Sequence, residues 1–194
     1  MEMYLLMVNF LKSSLKKYRY VKFGDKIYKS VRMPDGKFWL AENLSTVFEG
    51  INISSETSTD PCMIFNDGVA YYNGYCIDVI NAAVADKGWR VSSLDDWDKF
   101  GEASGISINN FGKYIKTTKY NGIDAFEFGA ECLGDFYDDT IHGVGQIGYF
   151  WTSEEYASSP DKLYAFRVNK SQDKLELGVV PKNAVFINIR LVSI

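Results

Sequence analysis

GWRVSSLDDWDKFGEASG, residues Gly88 to Gly105, decides the fold class. Ser93 stands three residues before Asp96, a capping-box spacing in which the hydroxyl accepts from the backbone N–H three residues on and the acid suits the positive end of the helix dipole. Leu94, Trp97 and Phe100 recur at a spacing of three and share one helical face, and Gly101 or Gly105 can end the helix. Just upstream, Cys76 through Asp86 is rich in Ala, Ile and Val, which predicts a second, mostly buried helix. The rest of the chain is strand-and-turn. Val21 to Val31 reads as two strands around Gly24-Asp25, Pro34-Asp35-Gly36 turns into Lys37–Leu40, and Asn66-Asp67-Gly68 is another turn. Residues 45–60 read as a long surface loop that tolerates insertions. Beyond the second helix the chain is β-like to Ile194, with turn signals at Asn121-Gly122, Gly134-Asp135, Gly143 to Gly148 and Pro160-Asp161. Ala184 to Val192 alternates Phe and Ile with Asn and Arg, as a strand closing a sheet does. Two adjacent helices in a largely antiparallel chain give an α+β fold.

Composition sets the outer bounds. With 194 residues, 46% hydrophobic and 24% charged, the chain suits one domain whose core needs no staple, and excludes disordered or collagen-like architectures. Aromatic residues reach 15%, which favours β structure and recognition surfaces. A net charge of −4 leaves no field to attract a phosphate backbone, so nucleic acid is not an expected partner. Cys62, Cys76 and Cys132 form no metal-ligand spacing and read best as small buried hydrophobes, with one disulfide left open. Trp89 and Trp97 read as core anchors, and Arg90 as a partner of local carbonyls or a carboxylate.

The first nineteen residues differ in texture. A short apolar run precedes the basic cluster Lys12, Lys16, Lys17 and Arg19, the reverse of a secretory signal, and no stretch is long enough to span a membrane. Tyr4, Leu6, Phe10, Leu11 and Leu15 suit a strand or amphipathic helix, either packed on the domain or docked on a partner. The expected organisation is an arm at 1–19 and a domain at 20–194.

Five ordered landmarks then carry a resemblance: FWLAENL (Phe38–Leu44), AYYNGY (Ala70–Tyr75) with its Ala-rich helix, GWR-x-x-S-x-x-D-W (Gly88–Trp97), GYFWTSEEY (Gly148–Tyr156) and VFINIRLV (Val185–Val192). Together they resemble the Fibrobacter succinogenes major paralogous domain family. The resemblance implies a C-type-lectin-like fold, related to the formylglycine-generating-enzyme scaffold, with two helices flanking a twisted antiparallel sheet and long loops carrying recognition. Family members often carry a Cys near the end of the Ala-rich helix and another in the final strand. Here Asn81, Ala82 or Ala83 and Ile189 or Leu191 stand in those regions, so that pairing is not expected.

Catalytic chemistry has little to draw on. His142 is the only histidine and lies in a Gly-rich loop with no nucleophile motif, and the cysteines match no active-site pair of the enzyme relatives. Carboxylate pairs at Asp95-Asp96, Asp138-Asp139 and Glu154-Glu155 would serve a glycosidase only across a cleft. No lectin-type calcium triplet is present, so neither metal nor cofactor is expected. Asp135 to Ser159 mixes aromatics, carboxylates and Gly as a paratope does, and Tyr137, His142, Tyr149, Trp151, Glu154, Glu155 and Tyr156 are the candidate ligand contacts, with the core as the alternative for Trp151. The expected function is a non-enzymatic binding and structural protein. Its foremost setting is a phage virion, as a tail, fibre or capsid-decorating component that presents a lectin-like domain to a host glycan or surface protein. The arm would bind other virion proteins, and a trimer suits a fibre tip. A bacterial cell-surface or secreted adhesin is the alternative, and an enzyme on the related scaffold the third reading.

Overall fold

The computed structural model describes residues 17–194. The expected arm contacts Tyr4, Leu6, Phe10, Leu11 and Leu15 lie outside the described residues. The expected boundary at residue 19 falls inside a strand: β1 (Tyr18–Phe23) pairs from Tyr18 onward with β2 (Lys26–Arg32), and Lys17 already ion-pairs with Glu127. The Gly24-Asp25 turn closes this ribbon, and β3 (Phe38–Leu40) follows the Asp35-Gly36 turn. Residues 45–60 are mostly exposed loop, yet Thr46 and Ile51 are buried, and Asn52–Ile53 forms a short strand β4 parallel to β5 (Cys62–Asn66). β5 turns at Asp67-Gly68 into its antiparallel neighbour β6 (Val69–Tyr72).

Helix α1 (Cys76–Val84) ends two residues before the expected Asp86. The chain continues as a 3-10 turn, Ala85–Lys87, which Gly88 closes at φ 71. β7 (Trp89–Val91) leads to α2 (Leu94–Ser104), where the capping box is complete: Asp96 N donates to Ser93 Oγ at 3.1 Å and Ser93 N to Asp96 Oδ2 at 2.8 Å. A third helix, α3 (Ile108–Ile115), corrects the expectation that everything past α2 is β-like. Its Asn-Asn pair and Gly112 weaken helix propensity, but Phe111 and Ile115 are fully buried beside Phe100, so packing outweighs propensity. Lys116, at its end, is buried and donates to the Asn169 and Gln172 carbonyls, each at 2.6 Å.

The remaining strands are β8 (Asp135–Tyr137), β9 (Thr140–His142), β10 (Ile147–Tyr156), β11 (Ser159–Asn169), β12 (Leu175–Pro181) and β13 (Leu191–Ser193). Pro160 and Asp161 lie inside β11, not at its turn, which falls at Ala157-Ser158. A five-stranded sheet runs β1-β2-β3-β13-β7, a second sheet runs β10-β11-β12, and β8 and β9 form a separate hairpin.

The five-stranded sheet is covered on both faces, so its alternation sorts residues between two cores instead of core and solvent. On β3, Phe38 and Leu40 face a cluster holding Ile77, Ile80 and Val84 of α1. Trp39 faces the cluster of Trp97, Phe100, Phe111 and Ile115 from α2 and α3, with the Trp39 and Trp97 rings 5.1 Å apart and edge-on. Each such aromatic pair contributes about 0.5–1.5 kcal/mol beyond its buried area.

The C-terminal run departs furthest from its expectation. Only Leu191–Ser193 is strand, and every residue from Phe186 to Val192 is buried. Ile187, Ile189 and Leu191 enter the α1 cluster, while Asn188 and Arg190 point to the other side. The polar residues meet backbone carbonyls in the interior. Asn188 donates to the Ala70 carbonyl, and Arg190 to those of Leu40, Phe128 and Gly129 and to Asn43 Oδ1.

Candidate binding site

Two hairpins meet at one end of the molecule. Phe136 and Ile141, opposite each other on β8 and β9, pack on a small cluster of Cys62, Ile64, Tyr71 and Phe186, which belongs mainly to β5 and β6. Phe136 and Phe186 exchange both backbone hydrogen bonds at 2.9 Å, and their rings stand edge-on at 5.7 Å. Tyr71 reaches across to donate to the Leu133 carbonyl at 2.8 Å. At the hairpin base, Gly134 has φ 79, and a Cβ there would sit 2.1 Å from the His142 carbonyl oxygen, so only glycine fits.

Because Phe136 and Ile141 point inward, the period-two alternation sends Asp135, Tyr137, Thr140 and His142 outward. Tyr137 and His142 are both exposed, with ring centroids 6.2 Å apart, and His142 Nε2 lies 3.1 Å from the Tyr137 carbonyl. Partial burial raises the Asp135 carboxyl above its ordinary pKa, against a smaller lowering by His142. The turn itself is Asp138-Asp139, both left-handed at φ 50 and 56. That is the geometry of a two-residue hairpin turn where Asn-Gly is the favoured pair, so two aspartates hold it at some cost in backbone strain.

Beside this hairpin runs an open groove of about 630 Å³, lined by Ile53, Glu56, Ile64, Phe65, Phe136 and Asp139 among others. Ile53 is 65% exposed, Phe65 45% and Tyr137 49%, a concentration of apolar surface that a solvated loop does not need. Ile53, Glu56 and Phe65 went unread as site residues because β4 and β5 are short and 45–60 reads as loop. Their only sequence signal is the Ile51-Asn52-Ile53 alternation.

The other candidates lie along β10, each with its own partners. Trp151 is a core residue and no ligand contact: it is fully buried, with its indole N–H committed to the Tyr72 carbonyl at 2.8 Å. Glu154 accepts from Leu94 N at 2.9 Å and so caps α2. Glu155 ion-pairs with Lys182, Tyr156 stacks edge-on against Tyr164 at 5.6 Å, and the half-buried Tyr149 packs on the α1 cluster opposite Arg167.

Two of the three carboxylate pairs are likewise taken apart, while Asp138 and Asp139 stay side by side on the hairpin turn. Asp96 is buried against Arg90 and Lys37 while Asp95 faces solvent with Lys99, and Glu154 and Glu155 serve separate partners. Among the described residues no three His, Cys, Asp or Glu side chains converge on a point that could hold a metal ion. No helix of the described residues is long and apolar enough to cross a membrane. Compared with protein-family models, curated proteins and solved structures, the chain matches none.

Proposed function

We propose that this chain is a non-enzymatic binding and structural module of C-type-lectin-like design, which serves as a phage virion component and turns its double-hairpin end toward a host surface. The observation that carries the binding role is the β8–β9 hairpin, which presents Tyr137 and His142 outward next to a groove with exposed Ile53 and Phe65. Rigid aromatics beside adaptable polar groups are the contact chemistry of recognition surfaces. The lectin-like reading is supported by α1 and α2 lying on opposite faces of the antiparallel five-stranded sheet, and by all five sequence landmarks falling in or beside its two cores. The virion setting rests on the family resemblance and on the apolar arm as an attachment segment.

The test is binding of purified, labelled protein to intact bacterial cells. A Tyr137→Ala/His142→Ala variant that keeps its circular dichroism should lose at least about tenfold in affinity, the scale of a lost interface anchor. Equal binding by both proteins would remove the hairpin from the reading. An antibody against the chain should label phage particles from lysates that express it; unlabelled particles would remove the virion setting.

A further inference from the structure

The net charge of −4 conceals a strong segregation. Residues 38–86 and 120–161 contain sixteen Asp and Glu and no Lys or Arg, whereas the other segments carry all twenty-one cations and nine acids. The two cation-free segments are those that fold against each other at the double-hairpin end, since β4, β5 and β6 belong to the first and β8 and β9 to the second. Glu56, Asp67, Asp135, Asp138 and Asp139 gather there, and among the described residues none of the five takes part in an ion pair. Asp135 and Asp67 both raise the Tyr71 phenol, which burial chiefly pushes up to about 12, so a carboxylate from each hairpin lies near this one side chain. Elsewhere Glu42 is paired with Lys26, Glu127 with Lys17 and Lys29, and Glu155 with Lys182, while exposed acids without an ion pair among the described residues, such as Glu49, Asp98 and Glu102, stand apart from any apolar strand groove of this kind.

We infer that the apolar groove at the double-hairpin end docks a Lys/Arg-rich polypeptide surface, and that this is the partner of the recognition face; the inference rests on the reading of that end as a contact surface. Lys and Arg match both halves of it. Their alkyl stems cover Ile53, Phe65 and Phe136, and their charged heads reach the rim carboxylates and the face of Tyr137. Nucleic acid would be repelled. The carboxylates do not converge as a metal site requires, and a neutral glycan would leave five unpaired acids without a role. Such a field also speeds encounter and weakens with added salt.

The experiment compares a short fluorescent peptide of Lys and Leu with its Gln/Leu and Glu/Leu counterparts by anisotropy against the full chain. The Lys/Leu peptide should bind at least about tenfold tighter than the Gln/Leu peptide at about 50 mM salt and lose most of that advantage by about 0.5 M. A Glu56→Gln/Asp138→Asn/Asp139→Asn variant should lose about tenfold, with its turn intact because Asn suits the left-handed region. A Glu49→Gln/Asp98→Asn/Glu102→Gln variant, with the same change in net charge on other exposed sites, should bind like the parent. Equal binding of all three peptides, equal loss in both variants, or no binding of the Lys/Leu peptide at low salt overturns the inference. If a neutral glycan binds instead and Tyr137→Ala abolishes it, this inference falls and the recognition reading stands; if hairpin substitutions change binding of no probe, both fall.

Discussion

Arg190 lays its guanidinium 4.6 Å from the centroid of the Phe128 ring and donates to the Phe128 carbonyl at 2.8 Å. The side chain is fully buried, and burial pulls its pKa down to about 9, so it remains a cation at neutral pH. Its charge is compensated by the carbonyls of Leu40, Phe128 and Gly129, and among the described residues no carboxylate forms an ion pair with it. Arg190→Met fills the space but strands those acceptors, and should cost about 3–5 kcal/mol in urea unfolding. Arg190→Lys keeps the charge without the planar fork and should fall between the two. An Arg190→Met protein as stable as the parent would contradict this account.

Asp96 joins three elements. Its carboxylate takes Lys37 Nζ at 2.6 Å from the chain just before β3, Arg90 Nη1 at 2.5 Å from β7, and the Ser93 N–H and hydroxyl at the α2 cap. Burial by itself pushes its pKa up, but the bonds from Arg90, Lys37 and Ser93 outweigh that and hold it below the ordinary Asp value. Asp96→Ala should lower stability by about 3–5 kcal/mol, because it strands Arg90 as well as opening the cap, while Ser93→Ala should cost only about 1 kcal/mol. Denaturation midpoints of the two variants decide it.

Glu127 is pulled down to about 2 by hydrogen bonds from Lys17 first, then Tyr18 and Lys29. A carboxyl whose folded pKa lies below its unfolded value stabilises the fold above the unfolded value and loses that contribution as pH falls through the folded one. The window runs from about pH 4.5 down to about pH 2. Urea midpoints across it should fall less steeply for Glu127→Gln than for the parent. The pairs are largely exposed, so the difference should shrink with added salt.

All three thiols are free and buried, which answers the disulfide left open by the sequence. Burial raises the pKa of each, Cys76 well above the ordinary thiol range, so thiolate is scarce at neutral pH. Thiol-specific reagents should label the native protein slowly and all three sites rapidly in denaturant. Fast labelling of any native site would place it at a surface.

Local signals were legible where the chain solves its own problem locally. Ser93-x-x-Asp96 and Gly105 marked α2 at both ends, and Asp67-Gly68 and Gly24-Asp25 marked their hairpins. Signals failed where a distant segment supplies the reason. α3 exists because Phe111 and Ile115 find Phe100 and Phe128, and Gly112 is needed there because a Cβ would meet the Lys174 carbonyl oxygen at 2.5 Å. Tyr137 and His142, two of the seven candidates, flank the Asp138-Asp139 turn on short strands and are exposed. Trp151 and Glu154 have the same composition around them but answer to Tyr72 and Leu94, far off in the chain.

The segment Phe186–Val192, which both cores close upon, also sets a timetable. On the ribosome every other wall of those cores is synthesised before it, and Ile80, Tyr72, Trp151, Phe128 and Phe150 belong to the walls that it completes. A chain stopped short of Ile187 is therefore a partly open protein with sticky walls, the state that quality-control machinery is built to find.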